Sequence, residues 1–453
     1  MDRKKFIGTS MLFGATAFAP GYTNPGKNPE KKFGLSAIEE IPNFCAHEHW
    51  GSITPIGFTS GGFLADLGAG ALPTRRVTLV DLLLDPYMSG VLSGIGIMPG
   101  NFPAGNKAID LNEMATVSPA EAFGLLSSVL GEFRLKGTYL CLRRGIGYAY
   151  GYDIEKEETD KILSVDKHIG DNYSRIFSWY KQLMEKARFS ELIRPVQPEF
   201  YFSDTLSPAA LNELSFTATV LRIDPFLDFW QDKNPRRDKL AAHLGIDPAD
   251  AGSWRAFLEK LLDTAAQNSC IGIKQLQAYH RNLDFEKVKD SEVRFRGELS
   301  VPEIRKFQDW VVHECCRLAN ERKWPHQIHV GTHNLPESNP LPLEKLARAY
   351  PDQKIVMLHC WPYIEESGYL AGRFPNMFID TCWQQVLNPM FLRKSMDTWL
   401  GYLPHSKITM SNDSTSIEMA VGSVLISKEI LAETLLSQTG SNKLNEKDIL
   451  STA

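Results

Sequence analysis

From about residue 195 onward, short apolar runs alternate with stretches in which apolar residues recur at helical spacing. The runs fall at about 196 to 202, 217 to 223, 270 to 274, 325 to 330, 354 to 359, 376 to 380 and 406 to 411. Helices are predicted between them near 253 to 268, 302 to 323, 341 to 350, 363 to 373 and 389 to 401, with a last one from about 416 to 437. Alternation of this kind builds a parallel sheet, because parallel neighbours need a long crossover and a helix supplies it. One further run, starting at Ile41 and ending at His47, reads as a short strand and brings the count to eight. Eight strands predict a closed (β/α)8 TIM barrel, with an open doubly wound sheet as the alternative.

Between the first and second strands the pattern changes. From 51 to about 115 the chain is rich in Gly and Pro and holds no period; from about 118 to 190 it reads helical, opened by Ser118 as a cap with Pro119 behind it. Residues 51–195 are therefore expected as a mostly helical insertion after strand one, within a single domain spanning 41–440. Upstream, Arg3, Lys4 and Lys5 precede an uncharged, mostly apolar run from Phe6 to Ala19 that closes on Ala17-Phe18-Ala19. This predicts an export signal over 1–19, a polar linker over 20–40 and a periplasmic destination. The basic start looks like a twin-arginine signal with Lys in the second Arg position. No stretch approaches the roughly 20 apolar residues of a membrane span.

Composition narrows the class. Of 453 residues 43% are hydrophobic and 23% charged, which fits a folded globular chain and excludes disorder. The net charge of -5, from 49 Lys and Arg against 54 Asp and Glu, offers no footprint for a phosphate backbone, so nucleic acid is not the expected partner. Seven cysteines, with Cys315 beside Cys316, do not form a regular disulfide framework; Cys45 and Cys270, inside apolar strands, are expected as buried thiols. A small molecule is the expected partner, and assembly into a homo-oligomer stays open.

The candidate chemistry stands at the C-terminal ends of the strands, where a barrel builds its site. The first strand ends His47-Glu48-His49, the strand at 325 carries His329, the strand at 354 ends in His359, and the one at 406 is followed by Asp413. Side chains two apart on a strand share a face, so His47 and His49 can reach one ion. Imidazole and carboxylate are the preferred ligands of divalent transition metals, which predicts a metal centre. His326 opens its strand and is expected at the far rim. Asp413 can accept the proton of a metal-activated water that attacks a carbonyl, and can also cap the following helix. Lys274, ending the run at 270, has three open roles: a carbamylated ligand bridging two metals, an ammonium for an anionic substrate, or a structural ion pair.

Around this set lie candidate pocket residues. Arg222 can hold a substrate carboxylate or form a salt bridge under the barrel mouth. Tyr279 and Arg281 can line the pocket or pack at a helix start, and His333 sits in the loop after His329. Trp50, Trp361, Tyr363 and Trp383 follow strand ends and suggest an apolar wall. Asp380 can support a ligating histidine or cap a helix.

These residues resemble the amidohydrolase superfamily, with H-x-H on strand one, Lys on strand four, His on strands five and six and Asp on strand eight. The closer resemblance is to its amidohydrolase-2 branch, in the group found alone in bacteria and fused to glutamine-synthetase-like domains in fungi and plants. Ile273-Lys274 through Ala278-Tyr279 and Arg281 is similar to that group's F-K-S-x-x-A-Y-R-x-G-L. Gln327-Ile328-His329-Val330-Gly331 is similar to its Q-x-H-x-G. Leu358-His359-Cys360-Trp361-Pro362-Tyr363, with Gly368-Tyr369-Leu370-Ala371, is similar to L-H-x-x-Y-P-Y and G-Y-L-A. The sequence departs in Thr332-His333-Asn334, where the group has an acidic or Gly-Asp loop, and in the inserted His280. The resemblance implies one or two divalent metals, usually zinc, and an activated water. It also implies three reaction classes on one ligand set: hydrolysis of an amide, ester or lactone, non-oxidative decarboxylation or hydration, and, more distantly, uronate isomerisation.

Overall fold

The computed structural model describes residues 38–49, 76–84, 87–88, 102–104, 107–109, 119–156, 159–202 and 215–442. The expected export signal, nearly all of the expected linker and Trp50 lie outside these residues.

Eight parallel strands form one sheet in chain order: β1 (Asn43–Cys45), β2 (Phe189–Val196), β3 (Ala218–Arg222), β4 (Cys270–Gln275), β5 (His326–Val330), β6 (Ile355–His359), β7 (Met377–Asp380) and β8 (Ile408–Thr409). The ends of β1 and β8 are drawn together by their exit loops: Asp413 N donates to His47 O at 3.1 Å and His49 N to Ser414 O at 3.1 Å. This is the (β/α)8 TIM barrel expected from the alternation.

Two strand boundaries differ from the sequence reading. The run at 196 to 202 is not a strand; β2 lies earlier, and Pro198, which has no N–H to give a ladder, opens a short 3-10 turn instead. Arg194 and Pro195 interrupt the apolar pattern inside the true strand. The run at 406 to 411 contributes only Ile408 and Thr409, after a 3-10 turn at His405–Lys407.

The described helices are α1 (Leu79–Leu83), α2 (Pro119–Leu130), α3 (Gly137–Tyr150), α4 (Thr159–Tyr173), α5 (Ile176–Lys186), α6 (Pro235–Leu244), α7 (Ala251–Gln267), α8 (Val301–Glu321), α9 (Glu344–Ala349), α10 (Ile364–Arg373), α11 (Gln384–Leu387), α12 (Pro389–Leu400) and α13 (Ile417–Asn442). α6 was not expected, although it carries Asn234 as cap, Pro235 at N1 and left-handed Gly245 behind it. Its apolar face is narrow, with Leu240 and Leu244 buried, so the period is faint. α8 is more legible: Ser300 and Glu303 form a reciprocal capping box ahead of a face that buries Phe307, Trp310, Val311, Leu318 and others.

Two apolar cores result. One fills the barrel and its packed helices, with Leu221, Ile273, Ile328, Met357, Trp254 and Trp310 buried. The second joins α1 and the helices between β1 and β2 to α13, through Leu82, Leu142, Ile169, Met419 and Ala420. α3 and α13 cross closely at two glycines: a Cβ on Gly145 would meet Glu418 O at 1.7 Å, and one on Gly422 would meet Cys141 O at 1.7 Å. The Glu418 carboxylate is buried between them. It accepts from Tyr150 Oη at 2.7 Å, Tyr173 Oη at 2.7 Å and Trp179 Nε1 at 3.0 Å, so three helices converge on one side chain of α13.

Candidate metal centre

The backbone that closes the barrel also carries the chemistry. The exit of β1, from Ala46 to His49, runs beside the exit of β8, from Ser411 to Ser414. Ser411 Oγ accepts from Ala46 N at 2.8 Å and donates to Asp380 Oδ2 at 2.7 Å. Asp380 also accepts from Thr409 Oγ1 at 2.6 Å and from Cys382 N at 2.8 Å. It therefore braces the ends of β7, β8 and β1 rather than touching a histidine. Glu48, pointing away from His47 and His49, accepts from Ser414 N and from Asn412 Nδ2, the latter at 3.1 Å. Burial pushes its carboxyl well above the usual range.

Within this frame four side chains face one another. Asp413 Oδ1 is 3.4 Å from His49 Nε2 and 3.8 Å from His47 Nε2, and Oδ2 is 3.5 Å from His359 Nδ1. The donor atoms of His47, His49 and Asp413 all lie within 4.8 Å of one another. Gln327 settles which nitrogen of His47 is available. Its Nε2 donates to Ala46 O at 2.6 Å, which leaves Oε1 as acceptor 3.0 Å from His47 Nδ1. His47 thus carries its proton on Nδ1 and turns a bare Nε2, buried and without a hydrogen-bond partner, toward Asp413.

Burial holds these imidazoles neutral. It lowers His47 well below its ordinary value, with the Lys274 charge adding to the shift; it lowers His49 to about 3 and His359 to about 4, although Asp413 pulls both upward. Lys274 is 2% exposed and falls to about 8, first through burial and then through the Arg222 charge. It makes no salt bridge within 4 Å among the described residues, so the ion-pair role is not realised there. Arg222, Lys274 and Gln327 are register neighbours across β3, β4 and β5, a polar layer just below the cluster.

The remaining sequence candidates divide. His329 stands 4.4 Å from the His359 ring, but its Nε2 is engaged by Thr332 Oγ1 at 2.9 Å and Gly331 O at 3.1 Å, outside the His47, His49 and Asp413 group. That loop depends on Gly331, at φ 72°, where a Cβ would lie 1.9 Å from Trp361 O. Tyr279, His333 and Trp383 stack in sequence, at 4.5 and 5.2 Å between ring centres, and Trp383 crosses the His359 ring at 5.6 Å. These three line the mouth.

Four others are engaged by partners of their own. Arg281 does not reach the pocket; it pairs with Asp309 of α8 at 2.7 Å and donates to Asp284 O at 2.7 Å. Trp361 stacks on Phe391 at 4.2 Å, and Tyr363 donates its hydroxyl to Leu335 O. Arg222 is held in a two-pronged pair by Asp224, at 2.7 and 2.9 Å, which realises the salt bridge under the mouth. His326 lies far from the cluster beside Cys316 Sγ at 3.4 Å, as its place at the start of β5 requires.

The sequence reading missed Gln327, Glu48, Cys382 and Tyr87. Gln327 and Cys382 were accessible through alternation, two residues before His329 and two after Asp380. Tyr87, which donates to Asp413 Oδ1 at 3.1 Å and lies 5.1 Å from the Trp383 ring, comes from the stretch after β1 and carries no such signal. Backbone strain concentrates here: His359, Cys360, Trp383 and Asp413 all have φ between 55° and 69°.

A (β/α)8 barrel with imidazole and carboxylate donors at its C-terminal mouth is similar in part to known proteins. Residues 285–404 match the family model described as Amidohydrolase. The protein fluG of Emericella nidulans is 29% identical over 185 residues, which cover 35% of this chain and 21% of that relative. The chain thus spans about a fifth of that relative's length. Among solved structures, glucuronate isomerase from Caulobacter crescentus aligns with a TM-score of 0.68 at 14% identity, over 94% of this chain and 92% of that one. Uronate isomerase from Thermotoga maritima aligns at 0.68 and 13%, over 94% and 95%. A protein described as a metal-dependent hydrolase from Lactobacillus casei aligns at 0.60 and 17%, over 92% and 93%. The match to the amidohydrolase model is confined to residues 285–404, and the solved structures share the fold of nearly the whole chain.

Proposed function

We propose that this chain is a metal-dependent hydrolase acting on the carbonyl of a small amide, ester or lactone. The observation that carries the reading is the convergence of His47, His49 and Asp413 on one buried point, with His47 Nε2 left bare by the Gln327 hydrogen bond. Neutral imidazoles and a carboxylate fit a divalent transition ion, zinc above all. When bound, such an ion polarises a carbonyl oxygen and makes water acidic enough to react near neutral pH.

The chain's own groups supply the rest. Asp413 Oδ1 takes the proton of the attacking water, with Tyr87 Oη holding that oxygen in place at 3.1 Å. His359, neutral and at the edge of the cluster, donates an N–H to the carbonyl oxygen, or ligates if a second ion is present. His329 supports the wall between His359 and Tyr279 or joins the ligands if its ring turns. Tyr279, His333 and Trp383 exclude water from the acyl side. Lys274 at a lowered pKa is disposed toward carbamylation, which requires the free amine.

A second reading is favoured by the buried Lys274, which has no salt bridge among the described residues, whereas the neighbouring Arg222 is already paired with Asp224. This reading suits a substrate bearing a carboxylate, as in a decarboxylase or in the uronate isomerases that share the fold. The periplasmic destination stays part of the proposal, resting on the basic and apolar start of the chain. Among the described residues no helix is long and apolar enough to cross a membrane.

The test is a screen of metal-replete protein against amides, esters, lactones, aromatic carboxylates and uronates. Hydrolysis that is lost with Asp413→Asn supports the first reading. Carbon dioxide release or aldose to ketose conversion, without hydrolysis, replaces it with the second.

A further inference from the structure

The two oxygens of Asp413 face different donors. Oδ1 is turned to His47 and His49, whereas Oδ2 lies 3.5 Å from His359 Nδ1. Cys382 completes a group on that second side: its Sγ is 3.2 Å from His359 Nδ1, and the sulfur, the nitrogen and a carboxylate oxygen all lie within 4.8 Å of one another. Nitrogen or oxygen at about 2.1 Å and sulfur at about 2.3 Å from one tetrahedral ion stand roughly 3.4 to 3.7 Å apart, close to the spacing already present. All three residues are buried.

The loop that presents the thiol is braced from two directions. Cys382 N donates to Asp380 Oδ1 at 2.8 Å, and Trp383 N donates to Asn412 O at 3.1 Å, one residue before Asp413. The two donor loops are thus stitched together. An independent observation points to a ligand on the shared carboxylate: His47 Nε2, buried and unpartnered, aims at its other oxygen.

We infer that His359, Cys382 and Asp413 form a second metal position that shares Asp413 with the first and, through its thiolate, selects a thiophilic divalent ion such as zinc or cadmium. This rests on the reading of His47, His49 and Asp413 as the first position. His359 Nδ1 has two partners available, Cys382 O at 3.0 Å as acceptor and the Cys382 thiol at 3.2 Å as donor. Only the second arrangement leaves Nδ1 without a proton and able to ligate. With an ion held there, Cys382 would serve as a thiolate, its proton released to solvent, and His359 would ligate through Nδ1 and keep its own proton on Nε2, free to donate to a substrate oxygen.

The experiment titrates the metal-depleted full chain with cobalt(II), reading bound metal and sulfur-to-cobalt charge-transfer absorption. The expected result is about two equivalents, the band rising with one of them. Cys382→Ser should lose the band and about one equivalent while keeping the other. His359→Asn should do the same with the thiol still present, which separates loss of a ligand from loss of the loop. Cys316→Ser, whose thiol meets His326 with no carboxylate, should keep both equivalents and the band. Wild-type protein with one equivalent and no sulfur band, or Cys382→Ser with an unchanged spectrum, overturns the second position and leaves the first standing. Failure to bind cobalt at all overturns the first as well.

Discussion

The barrel staves and the helical layer beside them are both well packed, yet they serve the site differently. The staves carry Lys274, His329 and His359 within strands and His47 and His49 in the loop that leaves β1. The layer built from residues 119–186 and α13 contributes packing and one buried carboxylate, Glu418, five residues beyond Asp413. Chemistry is fixed by the sheet, and the loop bearing Asp413 is fixed on one side by β1 and on the other by a helix anchored in the layer. A change in a stave should therefore alter reactivity or metal affinity, and a change in the layer should alter stability first.

The largest expected effect is on the stave side. Asp413→Asn should lower kcat/KM by about 10³-fold, the usual worth of a general base, measured on whichever substrate the screen identifies. A comparable loss in a layer variant that stays folded would erase the distinction. Next is Gln327→Leu, which removes the acceptor that sets the His47 tautomer. Metal affinity should fall by about 10- to 100-fold in competition with a chelator, with little change in the unfolding midpoint of the metal-free protein.

Gly145→Ala tests the layer. Its Cβ would strike Glu418 O, so α3 and α13 must separate, at a cost of roughly 1 to 3 kcal/mol in denaturant unfolding. The metal content of the remaining folded protein should hold.

The smallest effect is on pH dependence. Burial, outweighing the Tyr150 and Tyr173 hydrogen bonds, raises the Glu418 carboxyl above its ordinary value. The folded state then binds that proton more tightly than the unfolded chain. Its contribution is complete below the unfolded value of about 4.3 and is lost as pH rises through the raised one. Glu418→Gln has no proton to lose. Its stability relative to wild type should therefore rise as pH increases above about 4, and a flat difference would show that the carboxylate is fully compensated where it lies.

The same contrast explains what the sequence disclosed. Six of the eight strands and the residues at their ends were legible, five because alternation and helical period repeat from about residue 195 onward and β1 as an isolated apolar run. β2 was misplaced because Arg194 and Pro195 break its apolar pattern, and α6 was missed because its buried face is only two leucines wide. Arg281 looked like a pocket residue because it follows Lys274 and Tyr279 closely. The turn after β4 swings it outward to Asp309, and no local pattern records the direction of a turn. Tyr87 could not be found for a deeper reason. A single residue in a stretch without period meets Asp413, 326 positions away, only once the fold has formed.

Every role proposed for the site depends on His47, His49 and Asp413 holding a metal, a proposal open to direct test. Elemental analysis of the purified full chain, expressed with metal supplementation, tests it most directly. At least about one equivalent of a divalent transition metal is expected, falling sharply in a His47→Asn, His49→Asn double variant. Less than about 0.3 equivalents in the wild type, or an unchanged content in the double variant, would contradict it.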